Sequence, residues 1–328
     1  MKYRKFSDLG WEVSEVGLGC WQIGGSWGKV VSERNARELL KKSLDMGINY
    51  FDTSDTYGDG RSEKFLAEII KSTSEKIYVT TKLGRRTRGT NYSRGYNHHA
   101  MEEFVDRSLK NLGIDCIDLI QLHCPPIEII SQKETFEKMD ELVKKGKIKY
   151  YGTSVHKISD AMEAIKNPNT KSIQIVFNIF RQKPAEAFLK EAKKRNVAVI
   201  ARGPLASGLL SGEINKDTKF AENDHRKYNI KGEAFDIGDT FSGVNFKKGL
   251  EAVDLLKKLL PENVSLGQLA LKWILMHEGV TTVIPGATHK NHVETNCNAS
   301  NIENISYILP QINSIYDELI KPDVHDMW

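Results

Sequence analysis

Disulfide chemistry is the first thing this sequence does without. Its four cysteines, Cys20, Cys116, Cys124 and Cys297, are scattered, and no two stand in CxxC spacing. Neither a disulfide framework nor a structural metal is expected, and a chain of 328 residues buries enough surface to need no such staple. Two of the four lie within or beside apolar runs, which suits buried, reduced thiols. A long apolar run is also missing. The opening MKYRKFSDLGWEVSEVGLG is charged throughout and has no signal-peptide core, and no later stretch nears the length of a membrane span. The expectation is a cytoplasmic protein with no membrane contact. Charge of one sign is scarce too: 47 basic against 43 acidic residues leave a formal charge of +4, which does not indicate a nucleic-acid surface. The basic run KKGKIK at 144–149 reads as a solvated helix end.

What is present is alternation. Short apolar runs rich in β-branched residues recur at 16–19, 48–52, 77–82, 117–122, 148–153, 173–177, 197–202 and 281–284. Between them lie helix-period stretches such as Ala36, Leu39, Leu40 and Leu44, or Leu266, Leu269, Ala270, Trp273 and Ile274. Parallel strands joined by right-handed crossovers follow, and eight such units close into a (β/α)8 TIM barrel spanning 1–328 as one domain. A doubly wound sheet is the competing architecture. It should show GxGxxG after its first strand, whereas GLGCWQIGG has different spacing and reaches no helix until about residue 33. Ahead of the barrel, YRKFSDLGWEV reads as a β-hairpin capping the end opposite the active site. Residues 211–245 are too polar and too long for an ordinary connection, and a long loop after the seventh strand lies on the catalytic face.

Polar residues close nearly every run. The second ends in Asp52 and the third in Lys82; His123 follows the fourth and Ser154 the fifth; Gln174 lies in the sixth and Arg202 ends the seventh. Singly, an Asp is a turn residue, a Lys is solvated and a His is a satisfied core residue. On successive strand ends of one barrel they point into one mouth. DTSDTY adds Tyr57, five residues after Asp52. A tyrosine is a weak acid at neutral pH, and an adjacent ammonium lowers its pKa. Lys82 is placed to do this, with Asp52 pairing to Lys82 and His123 donating a hydrogen bond to a substrate oxygen. Such a set transfers a proton while hydride moves from a nicotinamide to a carbonyl carbon, or the reverse.

These residues resemble the aldo-keto reductase family: GLGCW at 17–21, DTSDTYG at 52–58, Lys82 after VTTK, and His123 in LIQLHCP. The resemblance implies an NAD(P)H-dependent reductase of aldehydes or ketones with Asp52, Tyr57, Lys82 and His123 catalytic, NADP(H) preferred and NAD(H) an alternative. It also implies that Cys20, Trp21 and Asp52 border the cofactor. Ser154 and Gln174 match the family's carboxamide clamp, although Val155 stands where an Asn is usual. Arg202 takes the place of a stacking aromatic ring, and a planar guanidinium also stacks. Gly203, Pro204, Leu205 and Ser207 match the pyrophosphate loop. Gly286, Thr288, His292 and Asn296 match the adenosine segment, with His292 where an Arg is common. The partner implied is a small carbonyl or alcohol, and monomers and larger assemblies both occur among similar proteins. The competing function is a regulatory subunit that binds cofactor with little turnover, resembling potassium-channel β subunits.

Overall fold

The computed structural model describes residues 1–25, 28, 30–85 and 95–328. A hairpin opens the chain: β1 (Tyr3–Phe6) pairs antiparallel with β2 (Trp11–Ser14). Eight parallel strands follow in sequence order: β3 (Leu18–Gly19), β4 (Tyr50–Asp52), β5 (Tyr78–Leu83), β6 (Ile117–His123), β7 (Ile148–Ser154), β8 (Thr170–Val176), β9 (Ala198–Arg202) and β10 (Val280–Val283). The sheet closes on itself. Val16 bridges Val283 and Gly19 bridges Gly286, both parallel, with the Gly17 amide donating to the Val283 carbonyl at 2.9 Å. Each expected run holds a strand, and the barrel is the architecture the alternation implied.

Helices form where the apolar spacing placed them, and side chains hold their first turns. Ser32 accepts from the Asn35 amide to start Glu33–Asp45, Asn97 accepts from Ala100 to start His98–Leu112, and Ser265 with Gln268 makes a full capping box ahead of Leu266–Leu275. Their apolar faces pack on the outside of the strands in one continuous core. The GLGCW segment departs from the expected loop, because Trp21–Gly24 forms one helical turn closed by Gly25 in the left-handed region.

A second, smaller core lies under the hairpin. Phe6 and Val13 pack with Tyr50, Tyr78, Leu119 and Ile200 near the starts of the strands, and Trp11 stacks on Tyr78 at 4.5 Å between centroids. The hairpin is thus a plug for the N-terminal end, which leaves the C-terminal ends of the strands as the mouth for chemistry. Segment 211–245 carries short turns: Asp224 caps His225–Tyr228, and Ile237–Asp239 and Phe241–Gly243 follow. Among the described residues no helix is long and apolar enough to cross a membrane.

Candidate active site

Strand register brings the expected residues together. His123 on β6 sits opposite Ser154 on β7, and Ser154 opposite Gln174 on β8; Asp52 ends β4 beside Gly19, and Lys82 on β5 faces Gln121. Asp52, Lys82 and His123 are 3%, 1% and 7% exposed, so each charge or polar group there must find a partner. Lys82 finds three. Its Nζ donates to Asp52 Oδ1 at 2.6 Å, to the Thr53 carbonyl at 2.7 Å and to the Tyr57 hydroxyl at 3.3 Å, using all three ammonium protons. Tyr57 is held by its own loop: Gly58 is left-handed, and a Cβ there would stand 2.0 Å from the Gly24 carbonyl, so only glycine lets the two segments meet.

The second carboxylate oxygen of Asp52 accepts from Gln174 Nε2 at 2.7 Å, and that amide also donates to Gln121 Oε1 at 3.1 Å. A buried polar chain therefore runs from Gln121 through Gln174, Asp52 and Lys82 to Tyr57. Both amide protons of Gln174 are spent inside the barrel. Only its Oε1, which accepts from Ser154 Oγ at 3.4 Å, is left with acceptor capacity for a ligand.

Burial sets the electrostatics. It pushes the Tyr57 hydroxyl above its ordinary pKa, and the nearby Lys82 ammonium offsets this only in part. The sequence-based expectation of a lowered value is therefore corrected: in this site Tyr57 is a firmly protonated donor at neutral pH. Burial depresses Lys82, but Asp52 and Tyr57 outweigh it and the ammonium is held above its ordinary range. His123 is pushed well below 6.5, first by burial and then by Arg85, Lys82 and Arg202, so its ring is neutral. Its Nδ1 lies 3.3 Å from Ser54 Oγ, and its ring meets Tyr57 edge-on at 6.1 Å.

Around this centre lies a second cluster that sequence reasoning saw only in part. Arg202, at the end of β9, donates Nη1 to Asp239 and Nη2 to the Val155 carbonyl at 3.1 Å and to His156 Nδ1 at 3.0 Å. Asp239 comes from the long loop after β9. Cys124, next to His123, has a left-handed backbone (φ 54°) and an Sγ 3.9 Å from Arg202 Nη2. Burial alone would raise its thiol pKa; His156, Arg202 and Arg85 bring it down to about 6. Cys124 is half-buried and ionisable, unlike Cys20 and Cys297, which are buried.

The remaining expected positions divide. Cys20 is fully buried, with its amide, carbonyl and thiol each partnered within the protein. Trp21 meets His225 edge-on at 4.9 Å, which ties the first strand's loop to the long one. The Gly203 carbonyl accepts from Asn178, Pro204 is buried, and Leu205 opens a turn in which Ala206, Ser207 and Gly208 are all left-handed. Ser207 Oγ donates to the Asp239 carbonyl and accepts from the Phe241 amide. Across the barrel, Gln22 lies over Gly286, where a Cβ would fall 2.2 Å from its amide; Gln22 Oε1 is buried without a partner among the described residues. Thr288 Oγ1 is 3.3 Å from His292 Nδ1, and Asn296 Nδ2 reaches the Gly286 carbonyl at 3.5 Å.

In the long loop, Asp224 and Arg226 pair in two parallel bonds, Nε to Oδ1 at 3.0 Å and Nη2 to Oδ2 at 2.7 Å. Phe220, Phe241 and Phe246 form a core beneath it, whereas Phe235 faces His225, Tyr228 and Arg85 at the mouth.

A buried lysine tying a carboxylate to a tyrosine hydroxyl, at the C-terminal mouth of a closed parallel barrel, defines a carbonyl-reductase type of site. The Aldo/keto reductase family model matches residues 15–317, and the chain belongs to that family. It is 32% identical over 300 residues to aldo-keto reductase YhdN of Bacillus subtilis, covering 90% of this chain and 87% of that one. It is 28% identical over 303 residues to aldo-keto reductase yakc [NADP(+)] of Schizosaccharomyces pombe, covering 89% and 85%. The solved glycerol dehydrogenase AKR11B4 of Gluconobacter oxydans superposes with a TM-score of 0.80 at 26% identity, covering 97% of this chain and 96% of that one.

Proposed function

We propose that this protein reduces an aldehyde or ketone to an alcohol with NADPH, reversibly, and that Tyr57 supplies the proton. The carrying observation is the Lys82 ammonium, buried and bonded at once to Asp52 and to the Tyr57 hydroxyl. A nicotinamide cofactor, when bound, supplies hydride to the carbonyl carbon. Tyr57 donates its proton to the carbonyl oxygen as negative charge develops there, and Lys82 stabilises the phenolate left behind. Asp52, braced by Gln174, keeps the ammonium charged and aimed. His123 stays neutral, with Nδ1 3.3 Å from Ser54 Oγ; in the tautomer that carries its proton on Nε2, the ring donates to the substrate oxygen.

The residues present fit such a cofactor. The left-handed run Ala206–Gly208 folds Gly203–Gly208 into a tight loop rich in small residues whose backbone a pyrophosphate can approach closely, with the Ala206 and Gly208 amides bonded to the Gly203 and Leu205 carbonyls. The unpartnered Nε of Arg202 and Oε1 of Gln22 are buried polar atoms that a ligand would satisfy. Thr288, Lys290 and His292 supply a hydroxyl, an ammonium and an imidazole for a 2′-phosphate, which favours NADPH. The relative from fission yeast bears NADP(+) in its name.

The test follows nicotinamide absorbance over a panel of small aldehydes and ketones, with NADPH and NADH offered separately, for wild type and Tyr57→Phe. Tyr57→Phe should lower kcat by roughly 100- to 10,000-fold while cofactor binding survives. Binding without oxidation of either cofactor in the wild type would give the site to a regulatory role. Binding of neither nucleotide would overturn the assignment.

A further inference from the structure

Trp328 lies far in sequence from the tetrad, yet it is only 8% exposed and is held on three sides. Its Nε1 donates to Asp236 Oδ1 at 3.1 Å. The Arg181 guanidinium lies 3.5 Å from the indole centroid, close enough for a strong cation–π contact. The ring edge fills the space where a side chain would begin at two glycines: a Cβ on Gly243 would meet it at 2.3 Å and one on Gly238 at 2.8 Å. The pocket that receives the indole is thus built from the turns at 236–243.

Those turns carry Asp239 into the mouth. Its carboxylate binds Arg202 Nη1 and stands 3.8 Å from both Arg85 Nη1 and His156 Nδ1. On the other face of the indole, Arg181 Nη2 donates to the His156 carbonyl at 2.7 Å. Trp328 therefore touches the start of two short paths to the end of β9. One runs through Asp236 and its turn to Asp239 and Arg202, and the other through Arg181 to His156, which accepts from Arg202. Among the described residues Arg181 has little else to satisfy it: its Nη1 is buried without a hydrogen-bond partner there, and burial pushes its pKa down to about 9. Loss of the indole would leave that guanidinium buried against a void, and it would move.

We propose that Trp328 is a positioning residue for the catalytic mouth: it locks the 236–243 turns so that Asp239 holds the Arg202 guanidinium fixed beside Cys124 and His156. The role of this placement in turnover rests on the reductase function proposed above; the placement itself does not. An arginine has four rotatable side-chain bonds and loses much rotamer freedom when fixed, so a site that needs one orientation needs a second element to impose it.

Cys124 reports on that orientation without any turnover. Its thiol ionises near 6 because His156, Arg202 and Arg85 surround it, so withdrawal of Arg202 lets its pKa climb towards the ordinary thiol range. The experiment uses the full chain as wild type, Trp328→Ala, Trp328→Phe, Asp239→Asn and the double variant Trp328→Ala/Asp239→Asn. Iodoacetamide labelling of Cys124 is followed against pH by peptide mass spectrometry, with NADPH affinity read by fluorescence and folding by circular dichroism.

Trp328→Ala should raise the labelling midpoint by more than one pH unit and weaken NADPH binding roughly tenfold. Trp328→Phe, which keeps a ring over Arg181 but loses the bond to Asp236, should shift the midpoint less. Asp239→Asn should move it in the same direction as Trp328→Ala, and the double variant should add little to the larger single effect. A folded Trp328→Ala with the wild-type midpoint, or strictly additive shifts, overturns the proposal. Should Trp328→Ala fail to fold, a wild-type midpoint in Trp328→Phe overturns it equally. If the wild type binds no nicotinamide nucleotide, the reductase assignment fails while the labelling titration still decides what Trp328 does.

Discussion

The two ends of the barrel are built from opposite materials. At the N-terminal end, Phe6, Trp11, Tyr50 and Tyr78 stack over the strand starts in an aromatic core, with polar pairs such as Arg4–Glu15 around it. At the C-terminal end, Asp52, Lys82, His123, Arg202 and Asp239 crowd together with their charges compensated pair by pair. A buried ion pair adds little net stability over a well-packed apolar pair, because desolvation consumes most of the Coulomb gain. The plug is thus the cheaper way to close a barrel, and the charged mouth is explained by chemistry rather than by folding.

Removing one charge at the mouth should give the largest effect. Lys82→Met strands the Asp52 carboxylate and should cost about 3–5 kcal/mol in urea unfolding, together with nearly all turnover. Adding Asp52→Asn should recover most of that stability and none of the activity. A double variant as unstable as the single one would mean that the pair is structural, and the contrast between the ends would collapse. At the plug, Phe6→Ala should cost a similar ~3–5 kcal/mol, yet kcat/KM per folded molecule should stay near wild type. A loss of specific activity there would show that the two ends are mechanically coupled.

The smallest effect concerns pH. His123 and His225 have folded pKa values below the ordinary 6.5, that of His225 at about 4. Below 6.5 the unfolded chain takes up protons that the folded one refuses, so stability contributed by these neutral rings is full above 6.5 and is lost as pH falls towards 4. Urea midpoints measured between pH 7 and 4 should fall progressively, and His225→Asn should flatten the lower part of the curve. A profile unchanged by that substitution would remove His225 from the account.

Much of this contrast can be read from residue order. Strand runs and their closing residues are local patterns, so the eight strands, the hairpin, Asp52, Lys82 and His123 were all legible, as was the pairing of Asp52 with Lys82. Quantities that depend on the surroundings were not. The net direction for Tyr57 turns on how deeply the hydroxyl is buried, which no spacing encodes. The thiol of Cys124 is acidic because residues from three other segments converge on it. Asp239 lies 37 positions from its partner Arg202, inside a loop with no periodicity to announce it. Gln174 was expected on a strand facing the cofactor; the direction in which its amide points follows from Asp52 and Gln121, two strands that meet it only inside the closed barrel.

Closure of the barrel also bears on time. The first strand pairs with the last through Val16–Val283 and Gly19–Gly286, contacts separated by most of the chain, and bringing such distant segments together is among the slower steps of folding. The mouth draws on β4, β5, β6 and β9 together, so no folding intermediate that lacks any of these strands contains it. During refolding, recovery of catalysis would trail the return of helical signal, and enzyme activity would serve as the clock for the final seam.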